Sequence, residues 1–413
     1  MAGTSDVNAA EPAEPTATGV SWRRNLAALW FAEFTAIFGF SFAFPFLSIF
    51  ISADLGVHPG RDLDLWTAVS ASASGLAMAV ASPIWGILGD RYGRKPMLIR
   101  SMVGGAITVG LIYFAQDPIQ LVILRLIQGA TSGTVAAATA LVAAETPRPR
   151  VGWALGVVTS AVALGGAIGP VVGGLAAAVF GLRLVFLGGG FLLLISTLPV
   201  LFMVKESERR VREGPRPSTL ATVRQKPGLV RALVVLICAQ GLVTVVTTAT
   251  QILVVLRLID LTRGLAAAAA GFAFGAQGLA NSVSAVSYNR VARRFGYVPT
   301  TAAAALLLAG AVALLIVAPK AAFIVAVVGL VGLLNGTIVP ATASMIGLET
   351  PPEAQSTVFG FNASSVAIGF SIGPLIAGGV AAWASVDAAF GVSAVLALGL
   401  AALIAIGARE PSR

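Results

Sequence analysis

The sequence predicts an all-α membrane protein: twelve transmembrane helices in two pseudo-symmetric bundles of six. Three observations carry that expectation. The 413 residues are 57% hydrophobic and 11% charged, with a mean hydropathy of +0.90, a surface that lipid tolerates and water does not. From Leu26 onward about twelve apolar stretches of roughly 20 residues succeed one another, each long enough to cross about 30 Å of hydrocarbon. Finally, Gly156, Gly165 and Gly169-Pro170 return 204 residues on as Gly360, Gly369 and Gly373-Pro374, and Glu145-Thr146-Pro147 returns at the same offset as Glu349-Thr350-Pro351. The chain is two related halves.

Taken in order, residues 1–20 are rich in Ala, Pro and Thr, carry Asp6, Glu11 and Glu14 but no basic residue, and are expected to form a disordered cytoplasmic tail. The expected spans are 26–52, 65–89, 97–115, 119–144, 153–180 and 182–204 in a first bundle covering 21–204. After a basic linker at 205–228, a second bundle (229–408) carries spans 229–256, 265–289, 299–318, 320–347, 357–384 and 386–408, with a short tail at 409–413. Numbering the loops alternately puts Arg23, Arg24, Arg91, Arg94, Lys95, Arg209, Arg210, Arg293 and Arg294 on one side, and only Arg61, Arg183, Arg257, Arg263 and Lys320 among the cations on the other. The positive-inside rule then makes both termini cytoplasmic.

Several functions are excluded by what the sequence lacks. Cys238 and His58 are the only residues of their kinds, so neither an intrachain disulfide nor a zinc site of the usual type can form. There is no phosphate-binding Gly-x-x-x-x-Gly-Lys, no strand-linked Gly-x-Gly-x-x-Gly and no nucleophile elbow, so neither an enzyme nor a nucleotide-driven pump is supported. The formal charge of +9 lies between apolar segments and points to lipid headgroups, not nucleic acid.

The turn after the second span reads Gly86-Ile87-Leu88-Gly89-Asp90-Arg91-Tyr92-Gly93-Arg94-Lys95-Pro96. Pro96 suits the first turn of the next helix. Asp90 opposes the dipole of its own helix at the C-terminal end and needs a partner: Arg91, Arg94, or the N-terminus of a helix from the other half. A pairing made only when the cytoplasmic side is closed would bias a conformational equilibrium, a latch. The second half repeats the turn 203 residues on as Arg293-Arg294-Phe295-Gly296-Tyr297-Val298-Pro299, with Arg293 where Asp90 stood.

Within the spans, Gly165, Gly169 and Gly173 recur every fourth residue and offer one helix side to a neighbouring backbone, with Gly156 and Gly174 extending the pattern and Pro170 bending the helix. Arg125 lies inside the fourth span, where a charge costs at least about 2.5 to 3.5 kcal/mol and is a functional candidate by default. Glu33 is the only acid placed away from the ends of a span, a candidate proton carrier or substrate counter-charge. By helix rise it lies about 10 Å from the cytoplasmic end and Arg125 about 9 Å from the outer end, so direct contact is not expected. Phe34, Phe38, Gln128, Gln240, Thr244, Gln251, Asn335 and Asn362 are the candidate lining of an apolar cavity with a few hydrogen-bonding groups.

The Gly86 to Lys95 turn resembles the signature between the second and third helices of the major facilitator superfamily. Arg125 with Gly129 resembles its fourth-helix motif, and Gly156 to Gly174 is similar to the fifth-helix motif of its drug:proton antiporters. The first half is most similar to MdtG-type bacterial multidrug exporters. The resemblance implies two lobes that rock about a central cavity, and a monomer in the bacterial cytoplasmic membrane. It implies proton-coupled export of small lipophilic compounds, with the proton as coupling ion and no cofactor. Asp90 with Gly86, Gly89, Arg91, Gly93, Arg94 and Lys95 would hold the cytoplasmic side closed against the eleventh helix, Arg125 would serve proton coupling, and Gly169-Pro170 would make the seal. A carrier for one specific metabolite is the alternative. In the second-half copy three residues, not two, separate Gly373-Pro374 from the paired Gly378-Gly379.

Overall fold

A computed structural model describes residues 21–147, 150–206, 227–262, 264–350 and 355–410. The expected tail, most of the linker and residues 411–413 lie outside the described residues. The first lobe contains α1 (Trp22–Ala43), α2 (Leu47–Ala53), α3 (Arg61–Tyr92), α4 (Arg94–Leu111), α5 (Pro118–Thr131), α6 (Thr134–Glu145), α7 (Val151–Phe180) and α8 (Leu182–Met203). The second contains α9 (Pro227–Thr262), α10 (Ala266–Phe295), α11 (Tyr297–Leu314), α12 (Ala321–Glu349), α13 (Gln355–Trp383) and α14 (Val386–Gly407). No strand occurs among the described residues, as lipid demands of an open chain that must satisfy its own backbone.

Two crossings are broken. The 3₁₀ turn Phe44–Phe46 separates α1 from α2, because Pro45 has no N–H to continue the helix. The fourth span, expected to be continuous over 119–144, divides at Ser132 and Gly133. Gly133 adopts φ 126°, a backbone conformation open to glycine and foreign to a helix. Elsewhere α3, α9 and α10 overrun their expected spans, which brings Asp64 and Asp260 into helices; Glu33 is therefore not the only acid inside a crossing. Among the described residues ten helical segments, α1 and α2 counted together as one, are long and apolar enough to span a membrane. The split pair α5–α6 and α10, which Gln277, Asn281, Ser282, Ser284 and Ser287 dilute, supply the rest.

In the first lobe α1 packs on α7 and α8, α3 on α5, and α4 on α8; in the second, α9 packs on α12, α13 and α14, α10 on α12, and α11 on α14. The lobes meet along two seams, α3 against α13 and α7 against α10.

Side chains tie the loops at both ends. Asn25 donates to the Lys205 carbonyl at 2.6 Å and accepts from its N–H at 3.0 Å, joining the start of the lobe to its exit. At the end away from the termini, Arg183 donates to the carbonyls of Tyr113 (2.7 Å), Ala115 (2.9 Å) and Asp54 (3.1 Å) and pairs with the Asp54 carboxylate at 3.3 Å. Burial raises the pKa of the Asp54 carboxyl and Arg183 pulls it back. Arg257 pairs with Asp387 at the same end of the second lobe.

Candidate functional site

The glycine stripe determines how closely the helices that carry the candidate residues approach. A Cβ at Gly165 would stand 2.8 Å from the Phe34 carbonyl oxygen, and one at Gly169 would stand 2.9 Å from that of Phe38. Gly173 abuts the Phe42 carbonyl. The second lobe repeats this: Gly369 and Gly373 each leave 2.7 Å to the carbonyls of Gly241 and Val245. The stripe thus locks α7 to α1, and α13 to α9, inside each lobe.

The next face of α7 makes the seam. A Cβ on Gly174 would lie 2.5 Å from the Ala267 carbonyl, and one on Gly271 would lie 2.5 Å from the Pro170 carbonyl. On the other seam Gly378 faces Asp64 and Ala68, and Gly75 leaves 3.0 Å to the Ser371 nitrogen. These contacts all lie in the helix halves away from the termini. Toward the termini, Gly156 and Gly360 have nothing within 4 Å of a Cβ.

Arg125 is 7% exposed. Its Nε donates to the Ser70 carbonyl at 3.1 Å, Nη1 to Gln128 Oε1 at 2.6 Å and Nη2 to the Ala71 carbonyl at 3.5 Å, and its guanidinium lies 4.4 Å from the Phe44 ring centroid. Gly129 permits this by letting α5 sit against the Ser74 backbone of α3. Among the described residues no carboxylate pairs with Arg125, and the side chains of Thr67, Ser70 and Ser72 and the Gln128 amide nitrogen are buried without partners. Glu33 is 0% exposed and both its oxygens lack a partner among the described residues. Glu33 and Arg125 are not bonded to each other, as helix rise leads one to expect.

At the turn, Asp90 and Arg91 belong to the last helical turns of α3, but their side chains and the surroundings of Gly86 lie outside the described residues. Gly89 is buried, and Gly93 turns the chain at φ 99°. Arg94 donates to the Ala140 carbonyl at 2.6 Å, and Lys95 Nζ to those of Leu201 (3.0 Å) and Val204 (2.7 Å), so both hold the turn to its own lobe. Two further residues, not singled out by any motif, shape the turn: Glu206, whose carboxylate accepts the N–H groups of Arg94 and Lys95, and Arg100, which stacks 3.6 Å from the Trp85 ring centroid and donates to the Ser132 carbonyl at 3.2 Å.

Among the candidate cavity residues, Phe34 and Phe38 stack in a ladder along α1 with centroids 6.0 Å apart. Gln240 donates to the Val339 carbonyl at 3.1 Å and Asn335 to Thr247 at 3.1 Å, joining α9 to α12; Gln251 reaches Gln277 of α10 at 3.4 Å. Thr244 donates to the Gln240 carbonyl at 2.8 Å and packs on Gly369. The Asn362 amide oxygen is buried without a partner among the described residues. No cluster of metal-ligating residues occurs among the described residues.

The sequence model of the Major Facilitator Superfamily matches residues 29–262 and 236–413. The chain is 32% identical over 372 residues to the multidrug resistance protein MdtG of Proteus mirabilis (strain HI4320), covering 88% of this chain and 90% of that protein. It is 31% identical over 383 residues to a multi-drug resistance efflux pump PmrA homolog of Lactococcus lactis, covering 90% and 91%. Among solved structures the nucleoside transporter NupG superposes with a TM-score of 0.74 at 12% identity, over 92% of this chain and 98% of that one. The human organic anion transporter MFSD10 superposes at 0.66 with 19% identity, over 93% and 99%. At such identities these two likenesses speak for fold alone. With a family match over both halves and relatives above 30% identity along most of its length, the chain belongs to the major facilitator superfamily.

Proposed function

We propose that this chain is a proton-coupled antiporter that exports lipophilic compounds across the bacterial cytoplasmic membrane by alternating access, with both termini cytoplasmic. The observation that carries the coupling is Glu33, a carboxyl group at membrane depth with no exposure and no partner among the described residues. Such a group holds or releases a proton according to which side admits water. Arg125 supports it with a fixed cation in the same lobe. The relatives named for multidrug resistance support the substrate class.

In this reading the α7–α10 contact at Pro170 and Gly174 seals the outer side, while Asp90 with Arg91, Arg94 and Lys95 latches the cytoplasmic side in the opposite state. The aromatic and amide groups from Phe34 to Asn362 line the path between. One proton crossing about 100 mV contributes about 2.3 kcal/mol, roughly a fifty-fold concentration ratio. Efflux of unrelated fluorescent dyes from a pump-deficient strain expressing the chain, lost when the proton gradient is collapsed, is the expected result. Dyes retained while a single metabolite is moved would establish the narrow carrier instead.

A further inference from the structure

At the termini end a groove of about 800 Å³ runs between the first turns of α1 and α7, with Trp22, Arg23, Trp30, Arg150, Trp153 and Val157 in its walls. Its walls are mostly apolar. Trp153, 63% exposed, and Val157 begin a stripe that Leu164, Ile168, Val172, Leu175 and Val179 continue at helical spacing, these five being 40 to 75% exposed. On α1 the rings of Trp30, Phe34, Phe38 and Phe42 stack at 5.5, 6.0 and 5.8 Å, forming a rail from the groove toward membrane depth.

The mouth of the groove is cationic. Arg23 and Arg150 are exposed and stand 5.4 and 5.6 Å from the Trp22 ring centroid, so both guanidiniums gather about one indole. Neither has an acidic partner among the described residues. Tryptophan and arginine together mark the interfacial layer of a bilayer, and basic pockets between membrane helices suit anionic headgroups. Two guanidiniums facing one phosphate leave a positive excess, which disfavours a zwitterionic headgroup. A free phosphate would leave the apolar walls and the rail unused.

We propose that this groove binds an anionic phospholipid, its phosphodiester held between Arg23 and Arg150 beside Trp22 and one acyl chain lying along the Trp30–Phe34–Phe38 rail. The site is separate from the lobe seams, and its rail shares Phe34 and Phe38 with the export path proposed above.

The full chain is reconstituted into phosphatidylcholine vesicles containing a fixed mole fraction of brominated phosphatidylglycerol or, separately, brominated phosphatidylcholine, and tryptophan fluorescence is followed. The expected result is a preference for phosphatidylglycerol on the order of ten-fold, from two cations at the interface. Arg23→Gln with Arg150→Gln should remove it, and each single variant should remove part of it, which keeps the test readable if the double variant folds poorly. Arg24→Gln, whose parent residue lines a different pocket with Ser21 and Lys205, should leave it intact. Equal quenching by the two lipids overturns the proposal. So does a loss in Arg24→Gln as large as in the pair, which would mean diffuse attraction, or abolition of the preference by millimolar inorganic phosphate, which would mean a free-anion site.

Discussion

Glu206 and Glu410, 204 residues apart, hold the same place in the two lobes. Glu206 accepts the backbone N–H groups of Arg94 and Lys95 at 2.9 Å each; Glu410 accepts those of Tyr297 at 3.1 Å and Val298 at 2.9 Å. Each carboxylate follows the last helix of its lobe and caps a helix that begins at a left-handed glycine, Gly93 (φ 99°) or Gly296 (φ 94°). A negative group there satisfies two free donors and complements the helix dipole.

Glu206→Ala should therefore lower the melting temperature of the detergent-solubilised protein by the equivalent of about 1 to 2 kcal/mol. Glu206→Gln, which keeps one acceptor, should lose less. Glu410→Ala should lose less than Glu206→Ala, because Glu206 is half-buried and Glu410 exposed. An unchanged melt for Glu206→Ala would remove the clamp from the account of the fold.

The glycines separate by face. Gly173→Ala drives a methyl into the Phe42 carbonyl, backbone on backbone, and should cost about 1 to 3 kcal/mol or prevent folding. Gly174→Ala meets Ala267 across the seam, so the lobes should fold while the closure at the end away from the termini weakens. Maleimide labelling of Ala267→Cys, with Cys238 first replaced, should rise in that background. Gly156→Ala has open space and should match the parent in both assays.

Glu33→Gln keeps shape and removes the titrating group. Efflux of a neutral substrate should lose its dependence on external pH between about 5 and 8, the range over which a coupled transporter responds to the gradient. A profile superimposable on the parent's would retire Glu33 as the proton site.

Arg125→Met substitutes a flexible apolar chain for a buried cation and should melt no lower than the parent, since buried charges stabilise little once desolvation is counted. Transport should nonetheless fail. Arg125→Lys carries the charge but cannot place donors on Ser70, Ala71 and Gln128 together, and should transport at an intermediate rate. Full transport by Arg125→Met would leave Arg125 a packing residue.

The twelve crossings, the duplication and the turn motifs could be read from the sequence, because hydropathy, glycine spacing and loop charge are local patterns. The break at Gly133 could not, since one glycine in an apolar run costs a helix only about 1 kcal/mol and leaves its course to the neighbours. Nor could Glu206, although its 204-residue offset from Glu410 was on view: its partners lie more than a hundred residues away in sequence, and no periodicity connects them. The stripe Gly165, Gly169 and Gly173 announced a close helix contact, yet only the folded lobe showed that it faces α1 while Pro170 and Gly174 face α10. By itself the sequence determined the solvent, the elements and the two-fold relation between halves, because lipid accepts only apolar segments that satisfy their own backbone. Which helix meets which, and where Glu33 and Arg125 come to rest without each other, was decided by tertiary packing, since a helix has several usable faces and only the closed lobe selects among them.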